Sequence, residues 1–384
     1  MKKSLIALAF GTLALGMTEF LMMGILSDVA RDLNVSIPQA GHLVSAYALG
    51  VASGATLLAV ASRFRPKNIL LFLVALIFLG SLLSTLAPSY GVFLVARFVS
   101  GLPHGAYFGV ASIMAVRLAD EGHKAGAVSI MVAGMTVANL FGVPLGTALC
   151  SHISWRAPFV LVMFYSLLVF YYIWKWVPQL EPTPSNGMKG QFRFLKSGAP
   201  WFILLGTMLG NGSVFCYYSY VTPVLTVDSG IPAEYMSMIM VLAGFGMVVG
   251  NLAGGKLSDR YTPGSICAAV LLVASVSLFG IFFLAQYAVV AVALTILAVF
   301  GMFAMGGPQQ YLIIRHAPGG EMLGGACIQM AFNMGNALGA FLGGLPIACG
   351  YADRYAALVG APMALGSAVL MMVFYLRYER GKQK

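Results

Sequence analysis

Residues 4–27 read SLIALAFGTLALGMTEFLMMGILS, an apolar run whose one ionisable residue is Glu19, inside Gly16-Met17-Thr18-Glu19-Phe20-Leu21-Met22-Met23-Gly24. A helix rises about 1.5 Å per residue, so a run of this length crosses a hydrocarbon core about 30 Å thick. A carboxylate at such depth costs at least about 2.5 kcal/mol unless it is neutralised, paired or wetted. A soluble core helix would rarely keep it. Glu19 therefore reads as a residue facing a cavity, placed to take up and release a proton.

The whole chain repeats this character. Of 384 residues, 60% are hydrophobic and only 9% charged, against roughly 25% charged in a soluble domain. Recurrent runs of about twenty apolar residues exclude a membrane β-barrel, whose strands are short and alternating. The fold class is all-α, a polytopic membrane protein. Cys150, Cys216, Cys267, Cys327 and Cys349 stand singly in or beside apolar runs, without the spacing of a disulfide framework or metal site. Lys2 and Lys3 before the first run imitate a signal peptide, but the run is too long and lacks a small-x-small cleavage site. It reads as an uncleaved first span.

Hydropathy gives about twelve spans, at roughly 4–27, 38–61, 68–87, 91–117, 125–149, 155–177, 200–226, 234–256, 264–284, 287–312, 322–347 and 354–378. With the N-terminus inside, 18 of the 22 Lys and Arg residues fall on the cytoplasmic side, Arg31, Arg156 and Arg354 fall outside, and Arg97 is intramembrane. Such a positive-inside bias puts both termini in the cytoplasm. The formal charge of +10 is then a device of orientation, and nucleic acid is not an expected partner. The bilayer is.

Pro178 to Gly198 is polar and turn-rich, a linker between two halves of six spans. The expected domains are residues 1–177, the linker 178–198, and residues 199–384. Asn139, Gly142 and Gly146 recur as Asn336, Gly339 and Gly343 at one offset of 197 residues, Ser62-Arg63 matches Asp259-Arg260 at the same offset, and Arg156 matches Arg354 within one residue. Two similar six-span bundles with a site between them at the midplane are how alternating-access carriers are built.

Three stretches resemble motifs of the major facilitator superfamily. Gly255-Lys256-Leu257-Ser258-Asp259-Arg260, after the eighth span, is similar to its cytoplasmic loop motif G-x-L-x-D-R. An Asp and an Arg at a helix end can bridge to a neighbour and latch one side in one of two states. The N-terminal copy keeps Arg63 but has Ser62 where the family usually has Asp. In the fourth span, Arg97-Phe98-Val99-Ser100-Gly101-Leu102-Pro103-His104-Gly105 resembles the R-x-x-x-G-x-x-x-G element. In the fifth, Gly134 to Gly146, with Asn139, Gly142, Pro144 and Gly146, resembles the antiporter motif. These glycines, with Gly101, Gly105, Gly339 and Gly343, let helices approach closely, and Pro144 bends its span. Helix packing alone explains them as readily as exchange chemistry does. Gly16 to Phe20, Gly101 to Val110, Gly134 to Leu140 and Gln329 to Ala337 resemble the arabinose efflux permease-like (AraJ-type) branch of the proton-coupled drug and sugar exporters, over essentially the whole chain.

Counted along its helix, Glu19 lies roughly 22 Å from the cytoplasmic start of span one, and Arg97 roughly 9–10 Å from the outer start of span four. The two share a depth, displaced from the midplane toward the outside, so an Arg97–Glu19 interaction is expected, with His104 as a further proton-coupling candidate. A permanent cation favours the ionised carboxylate and separation favours protonation, which is a coupling device; a static ion pair is the alternative. Gln329, Asn333 and Asn336 fall at i, i+4 and i+7 on one face of the eleventh span. With Asn139, Asn211, Phe215, Tyr218, Tyr47, Tyr107 and Phe108 they form the candidate substrate cavity. Amides with stacking aromatics suit a polyhydroxylated ligand, and aromatics with methionines suit a bulky lipophilic one.

No Walker A motif or nucleotide cassette is present, and the five histidines are dispersed. Neither ATP-driven transport nor a membrane enzyme is expected, and no metal or cofactor. The expectation is a monomeric carrier in a bacterial inner (cytoplasmic) membrane, driven by the proton gradient. It would export a small molecule, a sugar such as arabinose or a drug-like compound, in exchange for protons. Uptake by proton symport and a non-transporting sensor are the alternatives.

Overall fold

In the computed structural model the chain is described over residues 2–35, 37–61, 64–182 and 190–380. No strand occurs among them. We label the long helices α1 (Lys2–Asp32), α2 (Ile37–Ala61), α3 (Pro66–Leu86), α4 (Tyr90–Leu118), α5 (Lys124–His152), α6 (Ala157–Trp176), α7 (Gly198–Tyr218), α8 (Met236–Arg260), α9 (Pro263–Leu284), α10 (Ala288–Arg315), α11 (Glu321–Ala348) and α12 (Tyr355–Phe374). Ten of the described helices are long and apolar enough to cross a membrane. The other two, α2 and α11, have 25 and 28 residues and occupy the second and eleventh expected spans.

Proline sets several boundaries. Pro66, Pro158 and Pro263 lie in the first turn of α3, α6 and α9, where a missing N–H costs nothing. Inside a span the same residue breaks the ladder. Pro144 cannot donate to the Leu140 carbonyl, and α5 passes through a π-helical turn at Ala138–Gly142 immediately before it. Pro223 cannot donate to Ser219, and α7 ends at Tyr218, short of the expected residue 226. A turn at Val221–Pro223 and a π turn at Val224–Asp228 follow.

The helices cluster into two compact units. The first comprises residues 1–119, 130–196 and 317–330, and the second residues 120–129, 197–316 and 331–384. The beginning of α5 thus belongs to the second unit, and the beginning of α11 to the first.

Within the first unit, α2 lies so close to α4 that a Cβ on Gly50 or Gly54 would overlap the carbonyl oxygens of Phe98 and Leu102. Thr12 on α1 donates to the Met131 carbonyl on α5 at 2.6 Å. At the C-terminal end of α1, the Asp32 carboxylate accepts from Trp155 Nε1 at 2.8 Å and from Arg156 at 2.9 Å, over a buried cluster that includes Met22, Ile25, Phe93 and Phe159. The Trp155 and Arg156 hydrogen bonds hold the Asp32 carboxyl below its ordinary value of 3.8.

The second unit repeats these contacts. Gly250 and Gly254 on α8 meet the carbonyls of Phe300 and Ala304 on α10. Gly339 and Gly343 on α11 meet those of Gly212 and Cys216 on α7. Polar links complete it: Tyr217 and Thr295 share a buried hydrogen bond of 2.6 Å, Ser275 donates to Ala361 at 2.8 Å, and the Arg354 N–H, half-buried, donates to Asp228 at 2.9 Å.

Candidate functional site

Three helices of the first unit bring its buried ionisable groups together. Arg97 on α4 is fully buried. Its Nη1 donates to the Thr18 carbonyl of α1 at 2.8 Å. The guanidinium also lies over the Tyr47 ring of α2, 4.5 Å from the centroid. A planar cation can use an aromatic face and an in-plane acceptor at once. Arg97 Nε has no hydrogen-bond partner among the described residues.

Two turns farther along α4, His104 is likewise fully buried. Its Nδ1 shares a hydrogen bond of 2.7 Å with the Tyr47 hydroxyl, and its ring stacks on Phe108 with centroids 5.3 Å apart. When Tyr47 donates, Nε2 carries the ring proton. That nitrogen faces Glu19 Oε2 at 3.9 Å, a distance for electrostatic attraction and too long for a hydrogen bond. Gln329 on α11 reaches the same imidazole.

The expected interaction with Arg97 reaches Glu19 through space. Among the described residues no ion pair joins it to Arg97, although the guanidinium is near enough to act through space. The reason is rotational. Residue counting along two helices fixes depth and says nothing about azimuth, and Arg97 is aimed at the backbone of Thr18, one residue earlier. Glu19 Oε2 is left buried without a hydrogen-bond partner among the described residues. Glu19 and His104 are the two groups here able to take up and release a proton, and Arg97 beside them is a permanent cation.

The remaining candidates separate into groups. Tyr107 is enclosed, and its hydroxyl donates to the Leu8 carbonyl at 3.1 Å, a strut between α4 and α1. Asn139 lies in the π turn of α5, its Nδ2 3.5 Å from the Met135 carbonyl. Asn211 donates to Thr207 on its own helix at 2.9 Å. Phe215 lies edge-on to Tyr218 and Phe332, and the Tyr218 hydroxyl contacts Met240 Sδ at 3.8 Å. Gln329 is buried, Asn333 and Asn336 are half-buried, and Asn336 Oδ1 has no partner among the described residues.

Of the packing candidates, Gly101 meets the Tyr47 carbonyl, Gly105 faces Val51, and Gly142 and Gly146 receive the side chains of Met17 and Leu21. Pro144 is exposed. Arg63 lies outside the described residues. Asp259 accepts the backbone N–H groups of Ala125 at 2.9 Å and Gly126 at 3.0 Å, at the start of α5. Arg260 is exposed, 5.7 Å from the Tyr261 ring centroid.

Sequence reasoning passed over Gln309. It is 1% exposed on α10, its Oε1 is 2.9 Å from the Thr207 hydroxyl, and its Nε2 has no partner among the described residues. An amide pair, Gln309-Gln310, beside Pro308 in an otherwise apolar span was the available signal. No group of three His, Cys, Asp or Glu among the described residues could hold a metal ion.

Known proteins are similar to this chain in sequence and in fold. A sequence profile described as Major Facilitator Superfamily matches residues 8–325. The chain is 42% identical to the "Putative transporter AraJ" of Escherichia coli K12 over 99% of its own length and 96% of that protein. It is 28% identical to a "Chloramphenicol resistance protein" of Streptomyces lividans, over 86% of each chain. Its structure is similar to the outward conformation of FucP, the E. coli fucose:proton symporter, with a TM-score of 0.78 at 18% identity, covering 97% of this chain and 98% of that one. The chain belongs to the Major Facilitator Superfamily and is a multi-pass inner-membrane transporter rather than an enzyme.

Proposed function

We propose that this transporter exports a small molecule in exchange for inward-moving protons, and that Glu19 is the group that carries the proton. One observation supports this most: Glu19 Oε2 is buried in a membrane span, unpartnered by hydrogen bonds, 3.9 Å from His104 Nε2 and within the field of Arg97. A carboxylate so placed is neutral when protonated and compensated by Arg97 when ionised, so the span tolerates both states. Tyr47 ties the two cation candidates together and couples a change at Glu19 to α2 and α4.

The direction, outward, is supported by the resistance function in the name of the Streptomyces relative. Substrate contact falls to the neutral amides Gln309, Asn333 and Asn336 with the aromatics Phe215 and Tyr218, all of the second unit. Such a set serves a sugar or a drug-like compound. Asp259 acts as a latch, because its carboxylate satisfies two orphan N–H groups at the positive end of α5 and can be exchanged for water as the cycle proceeds. The two halves, residues 1–177 and 199–384, alternate as bundles around the linker, with both termini in the cytoplasm and one chain sufficient for the cycle.

Reconstitution into liposomes with an imposed pH gradient tests the reading. Pentoses, chloramphenicol and lipophilic cations are offered in turn, and substrate and proton movements are recorded together. Opposed fluxes are expected. Parallel fluxes would make the protein a symporter, and substrate movement indifferent to the gradient would remove proton coupling.

A further inference from the structure

One feature of the second unit stands apart from the Glu19 centre. Where α8, α10 and α12 terminate and α5 and α9 begin, a cavity of about 400 Å³ is lined by Lys124, Ser258, Asp259, Tyr311, Arg315 and Glu379, among others. Small-ligand sites run from roughly 300 to 1,000 Å³, so it has the size of one. Glu379, in the π turn that follows α12, is only 4% exposed. Its Oε2 accepts the Gly264 N–H at 2.8 Å and caps α9. Its Oε1 has no hydrogen-bond partner among the described residues, and neither has the hydroxyl of Ser258, itself 5% exposed.

Buried acceptors left in this way call for a donor from outside the chain. Arg315, at the end of α10, acts through space on both Glu379 and Tyr311. Yet among the described residues no ion pair joins Arg315 to Glu379. The cap on α9 holds the carboxylate in place, so an acid and a guanidinium line one cavity without meeting. Lys124 adds a second cation. A metal ion would need several grouped ligands, and none of the described residues form such a group.

We propose that this cavity is a second binding site, for a small zwitterion of the amino-acid type. Its ammonium group binds Glu379 Oε1 and the Ser258 hydroxyl, and its carboxylate binds Arg315. Asp259 lines the same cavity while it holds the start of α5. Occupancy therefore stabilises the docked arrangement and slows the transport cycle, a consequence that rests on the latch reading of Asp259.

The test uses the full chain in lipid nanodiscs, titrated with L-serine, with ethanolamine and with glycolate, which carry both charges, the ammonium alone and the carboxylate alone. Binding is read by calorimetry and by the thermal midpoint. L-Serine should stabilise saturably, with each half weaker by at least about tenfold, because a charge-assisted contact is lost in each case. Arg315→Gln and Ser258→Ala should weaken the response and Glu19→Gln should leave it intact. Glu379→Gln should abolish it but also alters the cap on α9, so Arg315→Gln carries the decision. Absence of saturable L-serine binding, equal binding by ethanolamine, or full retention in Arg315→Gln would overturn the proposal. A response lost in Glu19→Gln would move the site to the Glu19 centre and overturn it equally, without touching the proton-coupling reading.

Discussion

The interface of α2 with α4 and that of α8 with α10 share a scaffold and differ in chemistry. In the first unit Gly50 and Gly54 meet the carbonyls of Phe98 and Leu102; in the second, Gly250 and Gly254 meet those of Phe300 and Ala304. Superposing these contacts pairs Tyr47 with Met247, Arg97 with Val299, and His104 with Gly306. Every polar member of the first set has a small or apolar counterpart. The repeat thus supplies the close helix approach in both units, while ionisable chemistry was placed in one. Close packing of this kind, through small residues, is what holds helices together where lipid is as apolar as the side chains. Charge inside a span is costly, which makes such a residue the first candidate for a functional role.

The shared scaffold can be broken symmetrically. A Cβ at Gly54 or Gly254 would overlap a backbone carbonyl that cannot move aside, so Gly54→Val and Gly254→Val should each destabilise by about 3 kcal/mol or more. The check is the yield and thermal midpoint of folded protein. A variant of one unit that folds normally while the other fails would show that the two interfaces are not equivalent.

The chemical difference can be sharpened next. Arg97→Lys should lower gradient-driven transport by at least about tenfold, since a point charge cannot both donate to Thr18 and spread over the Tyr47 face. Val299→Lys, at the matching position of the second unit, should not restore transport to that variant. Vesicle flux at one protein density measures both. His104→Gln should have a smaller effect, because an amide can still bond Tyr47 but cannot hold a second charge beside Glu19. It should shift the pH dependence of transport more than its maximal rate, and an unchanged pH profile would remove His104 from the proton path.

Much of this was legible in the sequence. Twelve spans, the repeat and the buried carboxylate follow from run length, glycine spacing and one charge in the wrong solvent. Two kinds of detail did not. The breaks after Tyr218 and at Ala138–Gly142 depend on which carbonyl loses its donor to Pro223 and Pro144, an effect that falls several residues before each proline. The hydrogen bond of Arg97 to the Thr18 carbonyl depends on helix rotation, which counting at about 1.5 Å per residue cannot give. Gln309 and Glu379 were passed over because each sits near the end of a span, where polar residues are ordinary. Only burial marks them as unusual.

The smallest effect belongs to the C-terminal end of α1. Asp32 is tied to Trp155 and Arg156, and its carboxyl is held below 3.8 chiefly by the Trp155 hydrogen bond. A depressed carboxylate contributes stability above its unfolded value, and this contribution is lost as pH falls through the folded one. Asp32→Asn should therefore lower the thermal midpoint slightly at neutral pH, by an amount equivalent to about 0.5–1 kcal/mol for an exposed pair. The difference from the parent should shrink as the pH drops below 3.8, and a difference that grew on acidification would contradict the assignment.

In the proposed mechanism one carboxylate, Glu19, links the proton to the cargo. Glu19→Gln in liposomes, assayed both for counterflow of the substrate found in the vesicle screen and for its movement under a pH gradient, tests this most directly. Counterflow should persist, because exchange needs binding and alternation only, while accumulation driven by the gradient should vanish. Gradient-driven accumulation at the parent's rate in Glu19→Gln would contradict it.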